Sequence, residues 1–206
     1  MLDRVDTSKL LLGVIRMSLA LAVVFGFVTR DFVTLAISLL TLLSSYVPEL
    51  VERRYNIVFP SVVSLGVVFF VYATLFLGEV VDFYERFWWW DFFMHALSGF
   101  GFALMGFVAL LMTFQASKSA VGAGMIAVFS VALALALGAL WEIFEFTMDA
   151  NFGLNMQRSG LRDTMWDLIA DALSAIATGV AGYWYLKRSQ GRRISAIRKR
   201  LLQHAR

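Results

Sequence analysis

The sequence contains no cysteine, which excludes disulfide and thiolate chemistry. Charged residues make up only 16% of the 206 positions, and proline occurs only twice. Hydrophobic residues, by contrast, make up 60% of the chain, and the mean hydropathy is +0.74. The apolar runs reach the length of roughly 20 residues that a membrane-spanning helix needs. This composition argues against a soluble domain and predicts a protein that crosses the membrane several times.

The apolar runs predict an all-α fold, a polytopic transmembrane helical bundle with six spans. We expect these spans at residues 10–28, 32–47, 61–77, 92–114, 121–146 and 164–186. The first run is too long for a signal-peptide core and contains Arg16, so we interpret it as a retained span. Both prolines, Pro48 and Pro60, are expected in the loop between the second and third spans. One membrane domain over residues 1–186 and a basic tail over residues 187–206 follow from this pattern.

The placement of basic residues predicts the orientation of the chain. With six spans, thirteen of the 18 lysines and arginines lie on one side, including those of the tail, and Arg16 lies within a span. Four lie on the other side: Arg30, Arg86, Arg158 and Arg162. By the positive-inside rule, both termini are cytoplasmic and the protein belongs in the inner (plasma) membrane. Eleven of the 15 acidic residues then lie outside or in the outer half of the membrane.

The tail places Ile194, Ile197 and Leu201 on one helical face with arginines around it. This pattern is typical of an amphipathic helix lying on a membrane, so we predict contact with anionic lipids of the inner leaflet. Basic tails are common on the inner side of membrane proteins. We therefore predict the lipid bilayer, and no nucleic acid, as the partner of this segment.

Three aspartates, Asp163, Asp167 and Asp171, follow one another at spacings of four at the start of the last span. On a helix each such step turns by only about 40°, so the carboxylates share one stripe. A charged group inside a membrane costs about 2.5–3.5 kcal/mol or more unless it is compensated. The stripe therefore predicts a compensating partner.

Two further polar pairs converge on the same outer side. Asp91 and His95 lie one turn apart at the start of the fourth span, and Glu142 and Glu145 lie near the end of the fifth. Counting 1.5 Å per residue places His95, Glu142 and Asp167 in one layer about one turn below the outer interface. We expect Asp171 deeper, and Asp91, Glu145 and Asp163 nearer the mouth. The small residues Ser98, Gly99 and Gly101 predict close helix approach beside this layer.

Three interpretations of these residues stay open. In the first they hold a divalent metal ion, with Mg, Mn, Ca, Zn or Fe favoured by oxygen ligands and one imidazole. The predicted metal ligands are His95, Glu142, Asp167, Asp91, Glu145, Asp163 and Asp171. In the second the residues form a protonation or ion-coupling network. In the third the acids form structural pairs with Arg86, Arg158 or Arg162, or less readily with Arg16.

A structural explanation also exists for individual residues. A single interior histidine such as His95 is more often packed and hydrogen-bonded than a metal ligand. Asp163, and Asp91 in the same way, can cap the start of a helix and interact with its dipole. The loop 147–162 is rich in polar residues, which could line a mouth above the site or simply be solvated.

At these positions the sequence resembles the YjdF-like family of bacterial inner-membrane proteins. That family pairs Asp-x-x-x-His at a span start with a later Glu-x-x-Glu, a glutamine and Asp-x-x-x-Asp. The matching residues here are Asp91–His95, Glu142–Glu145, Gln157 and Asp163–Asp167, within residues 78–179. The loop NMQRSGLRD departs from the family's usual Gly-Asp surroundings of the glutamine. A fainter similarity to VanZ-like membrane proteins lies in WWWDFFMHALSGFG and DLIADALSAIATG.

Neither resemblance implies an established reaction, so function must be argued from the residues. One hypothesis is an enzyme acting on a lipid or lipid-linked phosphate at the outer leaflet. A metal would polarise the phosphoryl or acyl oxygen, and a spare carboxylate, Glu145 or Asp171, would be the catalytic base. The alternatives are an ion- or proton-coupled transporter and a structural or regulatory membrane module. Against transport stand the absence of visible inverted repeats and of matching polar residues in the inner halves of the spans.

Overall fold

The computed structural model describes residues 7–116 and 121–189, and every regular element in them is helical. The all-α prediction is confirmed. The helices are α1 (Thr7–Thr29), α2 (Phe32–Ser44), α3 (Val47–Tyr55), α4 (Ser61–Val71), α5 (Phe83–Arg86), α6 (Trp90–Ala116), α7 (Ala123–Phe152) and α8 (Leu161–Ser189). A π-helical segment, Tyr72–Val80, continues α4.

Within the described residues, five helical stretches are long and apolar enough to cross a membrane. They are α1, α2 with α3 (Phe32–Tyr55), α4 with its π-helical continuation (Ser61–Val80), α6 and α7. Helix α8 is not among them, although its 29 residues correspond to about 43 Å. Its aspartates lower the hydropathy of its first half. A sixth span along α8 therefore stays a prediction.

Two predicted loops are partly helical. Pro48 lies in the first turn of α3 rather than in a loop, because a proline there lacks only an N–H that the helix leaves unpaired anyway. Helix α7 continues to Phe152, six residues beyond the predicted span end, so its connection to α8 is only residues 153–160. The basic tail from residue 190 onward and the loop containing Lys118 lie outside the described residues.

The described residues form two compact units, residues 7–90 and residues 91–189. The single membrane domain predicted over residues 1–186 stays a prediction.

In the first unit, α1 and α2 form a tight antiparallel hairpin. A Cβ atom on Gly26 would lie 2.7 Å from the backbone nitrogen of Leu35, so only glycine permits this approach. Asp31 caps α2 by accepting hydrogen bonds from the Thr34 hydroxyl at 2.6 Å and the Thr34 amide at 3.1 Å. These hydrogen bonds, that of the hydroxyl first, lower the pKa of the exposed Asp31 carboxyl.

In the second unit, α6, α7 and α8 pack through small residues. Ala103, Ala134 and Ala175, one from each helix, are fully buried against one another. Small side chains allow helix backbones to approach closely in a membrane, where packing rather than water expulsion holds helices together. His95, Glu142 and Asp167 each lie eight positions, or about two helical turns, from the alanine of their own helix.

Candidate functional site

The polar site of the second unit is built around the imidazole of His95. His95 lies in the second turn of α6 and is 7% exposed. Its Nε2 atom lies 3.7 Å from Glu142 Oε1 and 3.9 Å from Asp91 Oδ1. Its Nδ1 atom lies 3.3 Å from Asp171 Oδ2. Carboxylates therefore face both nitrogens of one buried ring.

Asp167 completes the group on α8. One ligand atom from each of Asp91, His95 and Asp167 can be chosen so that all lie within 4.8 Å of one another. Asp167 is 3% exposed and Glu142 is 4% exposed. The structure thus brings His95, Glu142 and Asp167 close to one another, as expected for one layer, and adds Asp91 from the turn above.

Helical spacing of four residues explains how the layers are stacked. One turn below His95, Glu142 and Asp167 lie Gly99, Gly138 and Asp171. One further turn below lies the alanine layer of Ala103, Ala134 and Ala175. The middle layer therefore contains two glycines and one carboxylate, which leaves room for that carboxylate between the helices.

Asp171 occupies this middle layer and is 1% exposed. A Cβ atom on Gly138 would collide with the Asp171 carboxylate, and one on Gly99 would lie 2.7 Å from the Asp171 carbonyl oxygen. The Ser98 hydroxyl donates to Asp171 Oδ1 at 2.9 Å, and the His95 ring contacts the other oxygen. Asp171 was expected deeper than the other acids, and it lies there, but it still contacts the imidazole.

Glu142 differs from Asp171 because, among the described residues, no donor reaches hydrogen-bond geometry at its oxygens. Both Glu142 oxygens are buried, and among the described residues neither has a hydrogen-bond partner. The Thr164 hydroxyl faces Glu142 without reaching hydrogen-bond geometry, and it accepts a hydrogen bond from Gln157 Nε2 at 2.5 Å. An unpaired buried carboxylate is costly, so Glu142 marks where a partner is needed.

Two predicted ligands lie apart from the imidazole. Glu145 is half-buried and accepts a hydrogen bond from Trp141 Nε1, one turn earlier on α7, at 2.9 Å. Asp163 lies in the first turn of α8 and is hydrogen-bonded to the backbone of Arg158. This placement fits the helix-start role considered for Asp163.

The loop between α7 and α8 is held by Asp149. Its carboxylate accepts hydrogen bonds from the backbone amides of Met156 at 2.7 Å and Gln157 at 2.8 Å. The Gln157 side chain is thereby directed at Thr164, beside Glu142. Of the two alternatives considered for this loop, the Gln157 contact favours the one in which its polar residues lie beside the site.

Of the arginines considered as partners of the acids, Arg158 interacts electrostatically with Asp163. Arg86 pairs with Asp82 at 3.8 Å, and Arg16 pairs with Glu49 at 2.5 Å, both within the first unit. In the described part of the chain, Glu142, Asp167 and Asp171 form no ion pair with lysine or arginine. The positive charge that these acids meet there is at most that of His95.

Sequence reasoning missed Gly138 and Asp149. Gly138 lies one turn before Glu142 on the same face, a spacing that would have indicated its place beside the site. Gly101, by contrast, was expected at the helix interface, but a Cβ atom added there would meet nothing within 4 Å. Asp149 gave no signal in the sequence, because its partners are backbone amides.

The family model described as "Predicted membrane protein (DUF2238)" matches residues 10–188. A protein of Thermotoga maritima, described only as an uncharacterized protein, is 28% identical over 155 residues, covering 75% of this chain and 79% of the relative. No solved structure matches the chain significantly.

Proposed function

Since the chain belongs to the DUF2238 family of predicted membrane proteins, we propose that its second unit binds a divalent cation among α6, α7 and α8. The ligand set consists of His95 through Nε2 and the carboxylates of Asp91, Glu142 and Asp167. Glu145, Asp163 and Asp171 are left out of this set because each faces another group.

The observation that carries this proposal is the state of Glu142. It is 4% exposed, both its oxygens are without a hydrogen-bond partner among the described residues, and Oε1 lies 3.7 Å from His95 Nε2. A structural ion pair would place a donor at this carboxylate. A divalent cation between Glu142 and Nε2 would satisfy both.

Charge compensation supports the same conclusion. Glu142, Asp167 and Asp91 approach a single imidazole, and burying an uncompensated carboxylate costs several kcal/mol. One bound divalent cation would offset two negative charges directly. Imidazole and carboxylate ligands on facing helices are also the usual components of metal sites in helical bundles.

We place the site on the extracytoplasmic side of the inner membrane, following the positive-inside distribution of basic residues. There a bound cation would polarise a phosphoryl oxygen of a lipid or lipid-linked phosphate, with the nearby Glu145 as the spare base. Reporter fusions after residue 118 and after residue 158 should report opposite sides of the membrane. The same side for both would refute this placement.

The experiment that tests cation binding is metal analysis of detergent-purified protein. Glu142→Gln, Asp167→Asn and His95→Ala should each lower the metal content and the cation-dependent gain in thermal stability. Glu145→Gln is the matched control, because it makes the same chemical change one turn away on α7. A wild type that is free of metal and indifferent to added Mg, Mn, Ca, Zn and Fe, with native lipid present, would refute the proposal.

A further inference from the structure

We infer that Asp171 is a positioning residue that holds the His95 ring with Nδ1 protonated, leaving the Nε2 lone pair for the cation. This inference deepens the proposed function and rests on it for the identity of the Nε2 partner. It assigns Asp171 a different role from the two expected from the sequence, metal ligand and catalytic base.

Both Asp171 oxygens are already engaged. Oδ1 accepts a hydrogen bond from Ser98 Oγ at 2.9 Å, and Oδ2 lies 3.3 Å from His95 Nδ1. A carboxylate only accepts hydrogen bonds, so the ring nitrogen at 3.3 Å from Asp171 is the donor, whereas the Nε2 contacts at 3.7 and 3.9 Å are too long for hydrogen bonds. The neutral imidazole is then protonated at Nδ1, and Nε2 keeps its lone pair on the side of Asp91 and Glu142.

The packing around Asp171 prevents it from turning to the cation. Gly138 on α7 and Gly99 on α6 both contact it so closely that a Cβ atom at either position would collide with it. Asp171 is 1% exposed, and the alanine layer fills the space one turn below. Three helices thus fix one carboxylate on the far side of the ring from the proposed ligands.

This arrangement affects which cations the site prefers. Metal-bound histidines commonly donate their second ring N–H to a carboxylate, which orients the ring and makes it a better ligand. A site with an imidazole prepared in this way favours Mn, Fe or Zn over Mg and Ca, which prefer oxygen ligands alone.

The tautomer can be measured in metal-free protein by ¹⁵N NMR of histidine-labelled samples. The chain has two histidines, so His204→Gln leaves the His95 signal alone. At a pH where the ring is neutral, we expect Nδ1–H with Asp171 present. In Asp171→Ala we expect Nε2–H, because the remaining carboxylates lie on the Nε2 side. Asp163→Ala, eight residues earlier on α8, is the matched control and should leave the tautomer unchanged.

Metal titration of the same variants provides the second readout. Asp171→Ala should weaken the affinity for Zn or Mn by about 10–100-fold, the usual effect of losing such a partner. Ser98→Ala keeps the carboxylate, so it should retain the Nδ1–H tautomer and lose less affinity. If Asp171→Ala fails to fold, Ser98→Ala and the wild type still report the tautomer.

The outcomes separate this inference from the proposed function. A wild type with Nε2–H would overturn the positioning role, whatever metal it binds. A loss of metal in Asp171→Ala as complete as in His95→Ala would show that Asp171 is itself a ligand, which also overturns it. If the wild type has Nδ1–H but binds no divalent cation, the proposed function fails and the orientation of the ring by Asp171 stands.

Discussion

The two units of the protein each bury charged side chains, but they balance these charges differently. In the first unit, Arg16 is contained in the apolar helix α1 and pairs with Glu49 at 2.5 Å. It also donates to the Ser45 carbonyl oxygen at 2.6 Å and lies 3.9 Å from the centre of the Tyr46 ring. One cation there meets one anion and several further acceptors.

In the second unit, one imidazole meets carboxylates on both sides, and the excess of acid is buried with it. In the first cluster the arginine and the carboxylate pair within the chain, although one Glu49 oxygen has no donor among the described residues, whereas for the second we propose a cation from outside. A buried charge that is paired within the chain needs no ligand to explain it. A buried charge inside a membrane that has no such partner indicates a ligand that compensates it.

The largest effect should come from breaking the balanced cluster. Arg16→Met removes the cation that pairs with Glu49, and among the described residues one Glu49 oxygen is already buried without a donor. We expect a loss of about 3 kcal/mol, at the low end for buried pairs because Glu49 is one-third exposed. Thermal unfolding in detergent measures this.

The double variant Arg16→Met/Glu49→Met should recover much of that loss, because no charge is then left unpaired. Neither result should depend on divalent cations. A cation-dependent loss at Arg16 would remove the distinction between the two clusters.

The next largest effect should be the stabilisation of the protein by a cation bound at the His95 cluster of the second unit. A cation at 100 times its dissociation constant should stabilise the wild type by about 2.7 kcal/mol. The same addition should leave Glu142→Gln unchanged and should stabilise Arg16→Met as much as the wild type. Unfolding curves with and without a chelator test this, and equal responses of all three proteins would contradict it.

A smaller effect should follow from filling the space beside Asp171. Gly138→Ala adds a Cβ atom that collides with the Asp171 carboxylate, so we expect a loss of about 1–3 kcal/mol together with weaker cation binding. Gly124→Ala on the same helix is the control, because a Cβ atom there meets nothing within 4 Å. Equal stability of the two variants would show that the helices do not enclose Asp171 tightly.

The smallest expected effect is a change in the free energy of unfolding, on replacing Glu by Gln, that has opposite signs in the two clusters. In chelator-treated protein, Glu142→Gln removes a buried charge that has no hydrogen-bond donor among the described residues, so this variant should be more stable than the wild type by about 1 kcal/mol. Glu49→Gln, the same change in the first unit, should be less stable because it leaves Arg16 without its anion. Paired unfolding measurements at one pH decide this, and a metal-free loss at Glu142 would favour a structural role.

Much of the fold and of the site could be predicted from the sequence, because helices carry their own register. Apolar runs predicted the all-α fold, and spacings of four placed Asp91 with His95 and Asp167 with Asp171 on single faces. The helix boundaries were less predictable. Pro48 was assigned to a loop, since a helix tolerates proline in its first turn and the sequence alone does not mark that turn.

What the sequence by itself determined is therefore the membrane character, the helical faces and the order of the polar residues along each helix, all of which depend on neighbours within one helix. Only the tertiary structure decided which nitrogen of His95 faces Asp171, that Glu142 has no donor among the described residues, and that Arg16 pairs with Glu49. The Arg16–Glu49 and His95–Asp171 contacts join residues 33 and 76 positions apart. The contact of His95 with Asp171 depends on how closely helices approach at Gly99 and Gly138, and periodicity within a single helix contains no information about that distance.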